Sequence, residues 1–145
     1  MFKYLIILLS LVAGLFIYLV WRDISSPFYH WAANIGLASE VDFVRNHCSD
    51  IRMPSWFVYS LPDGLWMFSF VLTMMTVWGF DLNKNSIQWI GISIAIGFSI
   101  EVTQMYFSEL GRFDWMDMFF ISIGALLPIV FFLKKTTYDI HLINQ

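Results

Sequence analysis

The residues best equipped for chemistry crowd into one stretch: Glu101, Gln104, Arg112, Asp114 and Asp117, with Asp63 further upstream. Glu101 stands inside a long apolar run, 87–107. A carboxylate at the centre of a membrane-crossing helix costs roughly 2.5–3.5 kcal/mol, so it marks a functional site or a buried ion pair. Such a set offers three kinds of chemistry. It can pin helices together as an ion-pair network, it can hold a ligand or lipid head group, or it can move protons with Glu101 or Asp117 as acid or base. Arg112 is placed to reach either Glu101 or Asp117, since one guanidinium fork serves two carboxylates. Asp114 and Asp117 also suit a helix start through capping and the macrodipole, with no function implied.

Ser93, Gly97, Glu101, Gln104 and Ser108 recur at steps of three and four, which puts them on one face of a helix. The other faces are dominated by Ile, Phe, Met and Tyr. Ser93 and Gly97 form a small-xxx-small pair that admits a close neighbour. The carboxylate of Glu101 then points inward among helices.

Composition says what surrounds them. Of 145 residues, 59% are hydrophobic, 19% aromatic and only 13% charged, against about 25% charged in an average globular protein. Charges fall in short patches between apolar stretches. This predicts an all-α integral membrane protein in a single domain, 1–145, with the bilayer as solvent for most of its surface. A net charge of -3 and the lack of a basic run exclude nucleic acid as a partner. One cysteine, Cys48, excludes an intramolecular disulfide.

Four apolar segments, 5–21, 61–80, 87–107 and 116–133, are each long enough to cross a hydrocarbon core of about 30 Å. The pattern predicts a four-transmembrane-helix bundle. The first segment ends in Trp21-Arg22 without a small-x-small cleavage site, and reads as a retained helix. Ser60-Leu61-Pro62-Asp63 offers an N-cap serine, a first-turn proline and a capping-box acid for the second helix. Asp114 offers an N-cap for the fourth.

The long loop, 22–60, is too aromatic for a disordered linker. Phe28, Trp31, Ala32 and Ile35 follow helical spacing behind Ser26-Pro27, and Ser39-Glu40-Val41-Asp42 resembles a capping box. Two short amphipathic helices in the first extracytoplasmic loop are expected, with Phe28, Trp31 and Ile35 against the membrane or the bundle mouth. Trp56 and Tyr59 suit a membrane interface.

With four crossings, Lys3, Lys84, Lys134 and Lys135 share one side, and Arg22, Arg45, Arg52 and Arg112 the other. The basic counts tie. Two of the arginines lie deep in a long loop, where positive charge counts less, so both termini are expected in the cytoplasm. The expected location is the bacterial cytoplasmic membrane, with the Glu101 cluster facing outward. His30 reads as an interface residue. The run 46–50 carries His47, Cys48 and Asp50 but lacks a second cluster at ligand spacing, so no metal or other cofactor is expected.

Leu61-Pro62-Asp63, Glu101-x-x-Gln104, Gly111-Arg112-Phe113-Asp114-x-x-Asp117 and Gly124-Ala125 occur in this order over three helices. The pattern resembles the VanZ-like family of bacterial membrane proteins, named for a teicoplanin-resistance protein. The resemblance runs from Leu61 to the end of the fourth helix. It implies a four-helix envelope protein with polar residues near the outer face, and no defined reaction. Family members often carry Lys, His and Tyr where this chain has Gly64, Met67 and Val71, and Asn where it has Ile121. A site that needs that His for proton transfer would be crippled, whereas a binding site would survive. The resulting expectation is a binding or accessory protein for membrane lipids, a lipid-linked or amphiphilic ligand, or another membrane protein. The alternative is a membrane enzyme acting on a lipid or lipid-linked precursor.

Overall fold

The computed structural model describes residues 2–81, 83–107 and 113–143, with side chains as far as Phe132. Among these residues the chain is helical, without strands. Its elements are α1 (Phe2–Trp21), α2 (Pro27–Asn34), α3 (Ala38–Cys48), α4 (Ser55–Tyr59), α5 (Leu61–Val77), α6 (Lys84–Tyr106) and α7 (Trp115–Ile143). Four stretches are long and apolar enough to cross a membrane: Phe2–Trp21, Ser55–Val77, Lys84–Tyr106 and Trp115–Phe132.

These four are not arranged in a closed ring. α5 is the hub, touching α1, α6 and α7, while α1 makes no close backbone contact with α6 or α7 among the described residues. The sequence explains the hub. α5 is apolar around most of its circumference, and a helix of that kind is stable only when surrounded. Val71, Leu72 and Met75 are its fully enclosed core, joined by Ile90, Ile121 and Ala125. The outward faces of α1, α6 and α7 are apolar too, with Leu8, Ile96 and Leu126 exposed.

Two close contacts fix the hub. Between α5 and α7 the backbones nearly touch: a Cβ on Gly64 would lie 2.8 Å from the Phe120 carbonyl oxygen. A Cβ on Gly124 would overlap the Gly64 carbonyl in turn. No side chain fits at Gly64. The close approach that the sequence pattern assigns to Ser93 and Gly97 is thus made at Gly64 and Gly124. Between α1 and α5, Ser10 and Ser69 share a hydrogen bond of 2.6 Å, one hydroxyl donating to the other while the acceptor donates to a carbonyl of its own helix.

The expected span 61–80 starts where α5 does, at Leu61, but is too long at its far end. α5 stops at Val77 because Gly79 turns left-handed (φ 62°) and closes a Schellman motif. Phe80 N–H donates to the Met75 carbonyl at 2.8 Å, and Gly79 N–H to Thr76 at 3.2 Å. Phe80 itself takes φ 65°, which is costly for a side chain of its size. Its ring is buried beside Phe132, with Lys3 Nζ 3.7 Å above it. The start of α1, the α5–α6 turn and Phe132 of α7 therefore meet at one end of the molecule. α6 begins at Lys84, three residues before the apolar run, because Asn83 caps it by accepting from Ser86 N–H. α7 carries Pro128 in its interior and continues past the expected end at 133.

At the other end, helix begins before Ser60. The φ/ψ pair of Ser60 is already helical (−98°, −35°), because α4 leads straight into it. An N-cap needs an extended conformation, so the Ser60 side chain makes no cap bond and the expected capping box does not form. The Ser39–Asp42 box fails for the same reason: α3 starts at Ala38, which puts Ser39 inside the first turn. Ser26 does cap α2, accepting from Tyr29 N–H. Of the aromatic stripe on α2, Phe28 packs on Tyr18 and Trp66. Trp31 and Ile35 turn away from the helices and stay exposed.

Candidate functional site

Each of the three central acids sits near a helix end. Asp63 is in the first turn of α5, Asp117 in the first turn of α7, and Glu101 close to the end of α6. The hub geometry brings these ends together. One carboxylate oxygen from each of Asp63, Glu101 and Asp117 lies within 4.8 Å of the other two. Glu101 is 4% exposed and Asp117 8%, while Asp63 is half-buried. Two unit charges at such a separation repel by about 3–4 kcal/mol at an effective dielectric of about 20. Three carboxylates there call for positive charge in some form: a guanidinium, an ammonium, a metal ion or a proton.

Glu101 Oε2, Asp117 Oδ1 and Ser60 Oγ are buried and have no hydrogen-bond partner of good geometry among the described residues. Ser60 Oγ faces Asp117. Burial of unpartnered polar atoms is unfavourable and calls for an explanation at each position.

Next to the acids is a cavity of about 150 Å³ between α5 and α6. Asp63 and Glu101 form its polar end. Trp66, Phe70, Ile96 and Ile100 supply apolar wall, and Ser93 and Gly97 keep it open by being small. So these two residues line a space instead of receiving a neighbouring backbone. A Cβ at Gly97 would run into the flexible tip of Met67.

The other sequence candidates fall outside this core. Gln104 is half-buried one turn on and does not line the cavity. Asp114 is exposed and caps α7, accepting from Met116 N–H at 2.9 Å. Arg112, and with it the expected pairing to Glu101, lies outside the described residues. His30 is exposed beside Tyr29, and His47 Nδ1 sits 2.8 Å from the Phe43 carbonyl. The metal-capable group is the three carboxylates Asp63, Glu101 and Asp117, which the sequence grouped as a polar cluster but did not mark as metal ligands.

Arg22 is the residue that sequence reasoning missed. Its Nη2 donates to the Tyr59 carbonyl at 2.8 Å, and its Nε approaches the Val58 carbonyl at 3.5 Å. In an unbroken helix those carbonyls would receive the N–H groups of residues 62 and 63. Pro62 has no N–H, and Asp63 N–H does not bond Tyr59. Arg22 takes over both carbonyls, with its guanidinium 4.0 Å from the centre of the Tyr18 ring. From there it acts electrostatically on Asp63 and Asp117 without an ion-pair contact to either. The available sequence signal was Trp21-Arg22 closing the first apolar run and Pro62 opening the second.

Comparison with family models, with curated proteins and with solved structures finds no match.

Proposed function

We propose that this chain is a multi-pass protein of the bacterial cytoplasmic membrane that binds an amphiphilic or lipid-linked ligand near the outer face. In this reading both termini are cytoplasmic and α2, α3 and α4 lie outside. The observation that carries the reading is the cavity between α5 and α6. It is apolar along Trp66, Phe70, Ile96 and Ile100 and ends at Asp63 and Glu101, a division that matches an acyl chain and its head group. The motif resemblance to VanZ-like envelope proteins supports the same location.

The test is lipid analysis of chain extracted directly into polymer nanodiscs. The expected result is enrichment of one lipid class over the bulk membrane, reduced in Ser93→Leu and Gly97→Leu, whose side chains fill the cavity. Bulk lipid composition around wild type would remove the reading.

A second reading, a membrane enzyme acting on a lipid or lipid-linked envelope precursor, is favoured by the unpartnered Glu101 Oε2 at the polar end of the cavity. A buried carboxyl oxygen free of other bonds is available for proton transfer. Turnover of an extracted lipid fraction by wild type, abolished in Glu101→Gln, separates it from binding alone.

A further inference from the structure

We propose that Asp63, Glu101 and Asp117 bind one hard divalent cation, with the Ser60 hydroxyl as an additional oxygen ligand. Three observations converge on it, and none depends on an amphiphile in the cavity.

The first is spacing. Carboxylate oxygens bind Ca²⁺ at about 2.3–2.6 Å and Mg²⁺ at about 2.0–2.1 Å, so two ligands of one ion stand at most about 5 Å apart around Ca²⁺ and about 4 Å apart around Mg²⁺. The three carboxylates each offer an oxygen within 4.8 Å of the others. They come from three different helices, which holds them in place without a flexible loop.

The second is the buried hydroxyl. Ser60 is 1% exposed, its Oγ makes no hydrogen bond of good geometry among the described residues, and the side chain it interacts with is Asp117 of the carboxylate set. As a helix cap it would have had a partner; the run-in from α4 takes that role away. A hydroxyl oxygen turned toward a carboxylate set is a suitable neutral ligand for a hard ion. Glu101 Oε2 and Asp117 Oδ1 are likewise buried and unpartnered.

The third is charge. Three carboxylates carry -3, a divalent ion contributes +2, and Arg22 stands close enough to act on two of the acids. An all-oxygen set of this kind selects Ca²⁺, Mg²⁺ or Mn²⁺ over softer metals. The adjoining cavity gives such an ion an open side for water.

The experiment uses the full chain in detergent, stripped with chelator and titrated with Mn²⁺ under electron paramagnetic resonance, then with Ca²⁺ or Mg²⁺ as competitor. Saturable binding of one ion per chain is expected, with a rise in melting temperature. Glu101→Gln and Asp117→Asn should each weaken binding roughly tenfold or more, the scale reached even by losing outer-shell partners, and Ser60→Ala should weaken it less. Both carboxylate variants should also lose the chelator sensitivity of melting. If a variant does not fold, wild type decides alone. A free-Mn²⁺ spectrum that the protein leaves unchanged overturns the proposal. So does binding that persists undiminished when Asp63→Asn, Glu101→Gln and Asp117→Asn are combined.

Discussion

Arg22 Nη2 donates to the Tyr59 carbonyl at 2.8 Å, at the point where Pro62 interrupts the ladder between α4 and α5. One side chain from the end of α1 thereby repairs a break in another helix and brings positive charge toward Asp63 and Asp117. Hydrogen bonds from a charged donor contribute about 1.5–3 kcal/mol each. Arg22→Ala should destabilise the chain by about 2–3 kcal/mol, and Arg22→Lys, which lacks the fork, should recover only part of it. Unfolding in detergent measures both. Equal stability of Arg22→Ala and wild type would show the contact to be idle.

Gly64 and Gly124 leave no room for a side chain, because each would meet backbone. Gly64→Ala and Gly124→Ala should each cost about 1–3 kcal/mol or more through forced separation of α5 and α7. Gly97→Ala meets only the mobile end of Met67 and should be milder. Thermal unfolding of the three variants gives the ranking, and a Gly97→Ala chain less stable than Gly124→Ala would contradict it.

In the presence of chelator, the three carboxylates repel one another. Glu101→Gln should then raise stability, by up to about 3 kcal/mol if a full charge pair is relieved. A double-mutant cycle with Arg112→Ala tests the other partner suggested by sequence. Additive effects would mean that Glu101 and Arg112 do not pair.

The Tyr29 hydroxyl donates to both Asp42 oxygens, at 2.9 and 3.1 Å, and clasps α2 to α3. That bond raises the Tyr29 pKa above its ordinary 10.0. The sign follows: the clasp contributes fully below the ordinary value and is lost as pH climbs through the raised one. Asp42→Asn should return Tyr29 titration toward 10.0, followed by nuclear magnetic resonance on labelled tyrosine. Identical titration in both proteins would leave the clasp without effect.

Orientation is tested by thiol labelling in intact cells. Cys48 should react with an impermeant reagent, and a cysteine introduced at Asn83 in a Cys48→Ser background should not. Reaction at 83 with protection at 48 means the reverse insertion.

The four long apolar helices were readable because hydropathy is a local property of sequence. So was the crowding of acids, since Asp63, Glu101 and Asp117 all sit at predictable helix ends. What stayed hidden depends on geometry between helices. Ser60 looks like a cap in isolation and is not one, because α4 arrives already helical. Gly64 shows nothing unusual in isolation until Gly124 is seen against it. Arg22 is far in sequence from the carbonyls it bonds, and no local pattern announces such a pairing. Phe80 takes a left-handed backbone at the Schellman stop of α5 while its ring packs with Lys3 and Phe132, contacts that local propensity does not carry.

The glycine contact also sets an order of events at the ribosome. α1 and α5 are made first and can join through Ser10 and Ser69 while the rest of the chain is still being synthesised. α5 is made before α7, so its Gly64 face has no partner until α7 exists. Only when Gly124 of α7 arrives is that face closed and the Ser60 hydroxyl enclosed beside Asp117. A chain cut short before Gly124 would leave uncovered the strip of α5 that the finished molecule hides.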